Sequence, residues 1–260
     1  MKMKKYKILV DTDVFSIADP ARWVRVPPPP GSIFSNRMLL IHGKERRNEK
    51  IQVSLQAIGK HCRDGHMSLF RTSELMYEDW QGFQSMGNNL THYYAFNNCK
   101  VEDIKSPIER SFFYPISNLD GNQLQSFIEF LLNTESSHLM DILDKISIRH
   151  PNVFEYNTVT ETSFNWFKNL CSRLNKNKYR DAFHFWAAEH NEIDFFLSED
   201  KKFRNELSMS LKHGGLQHFC MAVGVVEFVS QLQIETQSVV LPESGAYYDM
   251  GGHKVNYPWQ

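Results

Sequence analysis

The sequence predicts an α/β protein with a central, mainly parallel sheet, and three observations predict it. Apolar runs of strand length occur at residues 6–10, 66–71 and 193–197. Between them, apolar residues recur at helical spacing, as at Phe164, Phe167, Leu170, Cys171 and Leu174. Acids stand where strands end or helices open: Asp11, Glu74, Asp181 and Asp200. In an open parallel sheet the carboxyl ends of all strands share one edge, so acids far apart in sequence can converge there.

With 260 residues, 42% hydrophobic, the chain is long and apolar enough for one large core with insertions. A net charge of −1 gives no bulk attraction to nucleic acid, so such a role needs a local basic patch. Cys62, Cys99, Cys171 and Cys220 contain no C-x-x-C pair, which argues against a structural zinc site and for thiols in a reducing compartment. No apolar run approaches a membrane span, and residues 8–10 are too short for a signal-peptide core, so the expectation is a cytoplasmic protein with no membrane contact.

In chain order, residues 6–10 form the first strand, ending at Asp11-Thr12-Asp13. Four prolines at 27–30 exclude helix and central strand and mark an extended connector. Residues 20–60 read as a helical insertion, with Ile51, Leu55 and Ile58 on its apolar side. The charge run K-E-R-R-N-E-K at 44–50 is a solvated face, with Arg46, Arg47 and Lys50 as candidate phosphate contacts. After Gly65 comes a strand at 66–71, then a helix with Ser73 as N-cap and Glu74 in its first turn. Residues 81–160 read as a second helical insertion, clearest at 118–145. A helix at 160–174 and a basic stretch at 173–180 lead to an Asp181-led helix through Ala182, Phe185, Trp186 and Glu189. The apolar run 193–197 ends in Glu199-Asp200. Residues 201–211 read as a short helix or turn, 222–229 as the last sheet strand, and 241–260 as a C-terminal tail or edge element. The whole reads as a single domain over 1–260.

Clustered carboxylates repel one another and resist full ionisation unless a cation lies among them. All-oxygen donors select Mg²⁺ or Mn²⁺ over softer metals. Taken singly, each acid is better explained as a helix cap or turn end, whereas Asp11 and Asp200 together, each after an apolar strand, favour a shared site.

The segments K-I-L-V-D-T-D-V-F and D-A-F-H-F-W-A-A-E-H-N-E-I-D-F-F-L-S-E-D-K-K-F resemble the two ends of a PIN-domain nuclease. In that family an apolar strand ends in D-T-[ND]. Later an Asp-led helix with small residues precedes an apolar strand and [TS]-x-D-x-x-F, matched here by Ser198-Glu199-Asp200-Lys201-Lys202-Phe203. The resemblance implies a PIN-like three-layer fold, with Asp11, Glu74, Asp181 and Asp200 as catalytic metal ligands. Glu78 competes with Glu74 for the role of second acid. Asp13, at a position often held by Asn, would support the metal, and Asp194 would be structural. The implied activity is Mg²⁺- or Mn²⁺-dependent hydrolysis of phosphodiester bonds in RNA, with a protein inhibitor or a second copy of the chain as further partners. The resemblance covers residues 1–15, the neighbourhood of Glu74, and 181–229, but not the insertions.

Two other readings compete. Asp11-Thr12-Asp13 also fits the D-x-D start of a haloacid-dehalogenase-type phosphatase, with Asp11 as nucleophile, Asp13 as general acid/base, and Lys176 or Lys178 as its lysine. That scheme gives Asp181 no role. The other is a catalytically silent PIN-like binding module. His184, His190, His213 and His218 lack zinc spacing, and His184 reads as a helix-face residue. Lys176, Lys178 and Arg180 on one side of the acidic edge, and Lys201, Lys202 and Arg204 on the other, are candidate phosphate contacts or solvated surface.

Overall fold

The structure is a computed structural model that describes residues 5–18, 21–27, 30–31, 36–41, 48–75, 95–96, 98–113, 121–149, 159–237, 245–248 and 254–257. Strand β1 (Tyr6–Val10) runs into helix α1 (Thr12–Ala18), and β2 (Ala21–Val26) and β3 (Asn36–Ile41) follow as an antiparallel pair. Helix α2 (Glu49–Arg63) leads to β4 (Met67–Thr72), and β5 (Val101–Ile104) lies beside β4. Four helices come next: α3 (Gly121–Asn133), α4 (Ser136–Arg149), α5 (Glu161–Cys171) and α6 (Tyr179–His190). The chain continues through β6 (Phe195–Leu197), α7 (Lys201–Gly214), β7 (Met221–Val223) and α8 (Val225–Gln231). Two short strands, β8 (Tyr247–Tyr248) and β9 (Lys254–Val255), come last.

The central sheet has the order β5-β4-β1-β6-β7 and every pairing in it is parallel. Strand β1 is central because Ile8, Leu9 and Val10 are apolar on both faces and fully buried. The period of two along each strand divides the interior between two cores. Ile8, Val10, Leu69, Phe195 and Leu197 pack on one face with α1, α2 and α8, through Val14, Leu55, Ile58 and Phe228. Leu9 and Phe196 pack on the other with α3, α5, α6 and α7, through Phe127, Phe164, Phe167, Trp186 and Phe203. In this second core the Phe167 and Trp186 rings stack with centroids 4.4 Å apart. Helices thus cover both faces of an α/β sheet, and the strand carboxyl ends deliver Asp11, the Thr72–Glu74 turn and the Ser198–Asp200 loop to one edge.

Several expectations need correction. Residues 20–60 are not simply helical, because β2 and β3 form a hairpin in register from Ala21–Ile41 to Val26–Asn36 ahead of α2. Trp23, Val24 and Val26 favour pleated backbone, and Pro27 prevents helical continuation. Of the two readings of the last residues, the described part supports the edge element: β8 pairs with β3 and β9 with β8, completing a second, four-stranded antiparallel sheet with β9 at its edge. The expected strand at 222–229 stops at Val223. Gly224 then N-caps α8, and the Glu227 side chain accepts the Gly224 N–H at 3.1 Å. Val225, Phe228 and Val229 are buried at helical spacing there. Residues 201–211 belong to a full helix that runs to Gly214, with Gly215 closing it at φ 58°. The helical stretch at 118–145 is two helices, α3 and α4, separated at Thr134-Glu135. Glu78 and the lysine and arginines at 44–47 lie outside the described residues.

Candidate acidic site

Asp11 follows β1 directly. Its backbone N–H donates to Leu197 O at 3.0 Å, and its carbonyl accepts from Val14 N and Phe15 N, starting α1. The carboxylate takes the Thr12 N–H at 2.8 Å and is only 6% exposed. Asp13 lies one residue into α1 and reaches the neighbouring strand end, where its Oδ2 accepts the Glu199 N–H at 2.9 Å. Its Oδ1 is buried and has no hydrogen-bond partner among the described residues. Asp181 stands in the first turn of α6, and Asp200 caps α7 by accepting the Phe203 N–H at 2.9 Å. Asp200 is therefore a true cap, through one oxygen of its carboxylate, whereas the N-cap position of α6 is held by Lys178 and not by Asp181.

The charges show which acids have been brought together. Burial, then repulsion from Asp11, pushes Asp13 up to about 7. Burial and Asp11 likewise push Asp181 up to about 6, and Asp200 adds to the repulsion. Asp200 goes the other way: burial opposes its ionisation, but Lys178 and the Phe203 N–H outweigh that and hold it below the ordinary carboxylate range. Lys178 is the link, because its Nζ is hydrogen-bonded to Asp200 Oδ2 and lies 3.8 Å from Asp181 Oδ2. An ammonium thus already sits between two of the carboxylates.

Glu74 is held differently. Its carboxylate is 1% exposed and is gripped by Arg110, with Nε to Oε1 at 3.1 Å and Nη2 to Oε2 at 2.7 Å. Burial pushes the Glu74 carboxyl up, and Arg110 pulls it back. Glu74 and Asp181 share His184 as a neighbour that favours ionisation of each carboxyl. His184 is buried, with Nδ1 3.4 Å from Thr72 Oγ1. It is therefore an interior residue of the site, not a bystander on the helix face. Thr72, not Ser73, caps the turn that carries Glu74, since its Oγ1 accepts the Leu75 N–H at 3.2 Å.

The remaining candidates separate by contact. Asp194 is structural: its Oδ2 takes the Lys7 N–H at 2.8 Å beside the β1–β6 ladder. Glu199 accepts the Val225 N–H at 2.7 Å and ties the β6 loop to α8. Arg204 is bonded to Ser198 O and lies 3.4 Å from Glu227, so it braces the loop. Lys176, Lys201 and Lys202 are exposed on the rim.

The donor set suits a hard cation. It is made of carboxylate oxygens, one buried oxygen lacks a partner, and mutual repulsion keeps two carboxyls from ionising freely. Among the described residues, no three His, Cys, Asp or Glu side chains already surround one point as a metal would require. Sequence reasoning missed Arg110, whose only signal was an arginine in an unpatterned stretch 36 residues from its partner. It noticed Lys178 only as a flanking charge, though the i,i+3 spacing to Asp181 was visible. Comparison of the chain with protein-family models, curated proteins and solved structures found no match.

Proposed function

We propose that this chain is a cytoplasmic, divalent-metal-dependent nuclease of PIN-like fold that hydrolyses phosphodiester bonds in RNA. One observation carries the proposal: aspartates from the two ends of the chain meet at one sheet edge and repel one another there. Asp11, Asp181 and Asp200 would hold Mg²⁺ or Mn²⁺, with Asp13 beside them. When bound, such a cation lowers the pKa of water and offsets charge on a phosphodiester. Asp13 fixes the Ser198–Asp200 loop against the start of α1 through the Glu199 N–H, and while no ion is bound Lys178 bridges Asp200 and Asp181. Exposed Lys176, Lys201 and Lys202 supply the local positive charge that the net charge of −1 does not. Glu74 acts at one remove, positioned by Arg110 and coupled to Asp181 through His184.

A second reading draws on Asp13 and Lys178. A carboxyl raised to about 7, two residues from Asp11, with Lys178 bonded to Asp200 on the same sheet edge, also suits the acid/base role of a haloacid-dehalogenase-type phosphatase. Assays of single-stranded RNA and a phosphomonoester with Mn²⁺ separate the two. On RNA, Asp11→Asn and Asp181→Asn are expected to lose more than about a hundredfold in rate, while Asp13→Asn keeps a measurable part. Inert RNA, with phosphomonoester turnover that Asp13→Asn abolishes, would overturn the nuclease in favour of the phosphatase.

A further inference from the structure

Away from the acidic edge, two thiols come together where α2 ends and β5 begins. Gly59, Cys62 and Arg63 lie on one side of α2, three and four residues apart. The loop ahead of β5 sits tightly against that side: a Cβ on Gly59 would fall 1.8 Å from Ala95 O, so only glycine admits the approach. Arg63 fastens the same loop, with Nη1 3.2 Å from Ala95 O and 3.7 Å from Cys99 Sγ. The Cys99 thiol, when protonated, donates to Gly59 O at 3.3 Å, and with Arg63 on its other side it lies against the turn of α2 that carries Cys62. Both cysteines are partly exposed, whereas Cys171 and Cys220 are buried.

We propose that Cys99 and Cys62 form an oxidisable dithiol, with Cys99 as the peroxide-reactive thiol and Cys62 as the thiol that resolves it to an intramolecular disulfide. The site stands independently of the nuclease reading, since neither residue belongs to the acidic edge.

The chemistry follows from the two surroundings. The neighbouring Cys62 thiol and the Arg63 guanidinium, 3.7 Å from Cys99 Sγ, favour the Cys99 thiolate, which is brought down to about 7, while the Cys99 neighbour and burial raise Cys62. The Cys99 thiolate attacks one oxygen of hydrogen peroxide, leaving Cys99 as a sulfenic acid and releasing hydroxide. Conversion to the sulfenic acid removes the negative charge that held the Cys62 proton. Cys62 then ionises, attacks the Cys99 sulfur and expels the sulfenic oxygen as water. Overall two thiols and one peroxide give one disulfide and two waters. A dithiol reductant reverses the bond by exchange.

The test is peroxide treatment of the full-length reduced chain, followed by alkylation and peptide mass mapping. Cys99 of untreated protein is expected to alkylate about tenfold faster than Cys62 near neutral pH, while Cys171 and Cys220 stay unmodified until the chain unfolds. Peroxide should yield a Cys62–Cys99 peptide pair lacking two hydrogens, restored by dithiothreitol. In Cys62→Ala the pair cannot form, and Cys99 should accumulate sulfenic acid trapped by dimedone. Cys62→Ser serves in its place should the alanine variant not fold. Cys62 left free in peroxide-treated wild type, with Cys99 over-oxidised or bridged to another chain, would refute the proposal. So would equal alkylation rates at the two thiols.

Discussion

At the scale of single residues, the site is a balance of like charges with the Lys178 ammonium set between two of them. Asp11, Asp181 and Asp200 were legible because each sits where an apolar run or a helical period changes, which are features of local sequence. Lys178 was legible as a charge but not as an occupant, because an i,i+3 pair says nothing about the distant Asp200. Its ammonium now takes up the space and charge that a divalent ion would need. Replacing it should therefore favour the metal. Lys178→Met is expected to tighten Mn²⁺ binding by roughly tenfold in a calorimetric titration, through loss of a competing charge about 4 Å away at intermediate dielectric. Unchanged or weaker binding would show that Lys178 does not compete with the ion.

At the scale of elements, the Glu74–Arg110 pair joins the turn after β4 to the stretch beyond β5. Both side chains are 1% exposed, so the pair is deeply desolvated and its two partners depend on each other. Arg110→Met, which leaves a buried carboxylate unpaired, is expected to cost about 3–5 kcal/mol in urea denaturation. The double variant Glu74→Leu/Arg110→Met should recover much of that, since no charge is then stranded. Equal losses in the single and double variants would contradict this account. The pair was hidden from sequence because long-range ion pairs carry no period, and neighbours such as Glu109 look equally able to serve. The short β7 and the start of α8 were hidden for another reason. The apolar run at 222–229 fits either a strand or a buried helix, and what decides is the cap at Gly224 and Glu227.

At the scale of the molecule, the parallel sheet was readable because strands buried on both faces appear as continuous apolar runs. The second sheet was not, because β8 and β9 have two residues each and gain their ladder only through β3 pairing with β8 and β8 with β9. The sheet gathers enough carboxyls to make stability depend on pH. Asp13 and Asp181 have folded-state values of about 7 and about 6, above the ordinary value of 3.8. The folded chain therefore holds these protons more tightly than the unfolded chain does. The stability they contribute is fully present below the unfolded value and is lost as pH rises through about 6 and about 7. Burial raises Glu74, Glu109 and Glu189 as well, adding in the same direction, while the lowered Asp200 matters only at the acid end. The metal-free Tm is thus expected to fall between about pH 5 and pH 8, and less steeply in Asp13→Asn.

The most direct test of the metal site is calorimetric titration of Mn²⁺ into the wild type and Asp11→Asn at about pH 7.5, where the carboxyls are mostly ionised. The account predicts saturable binding in the wild type, weakened by at least about a hundredfold in Asp11→Asn. Absence of saturable binding in the wild type, or binding that Asp11→Asn leaves unchanged, would contradict it.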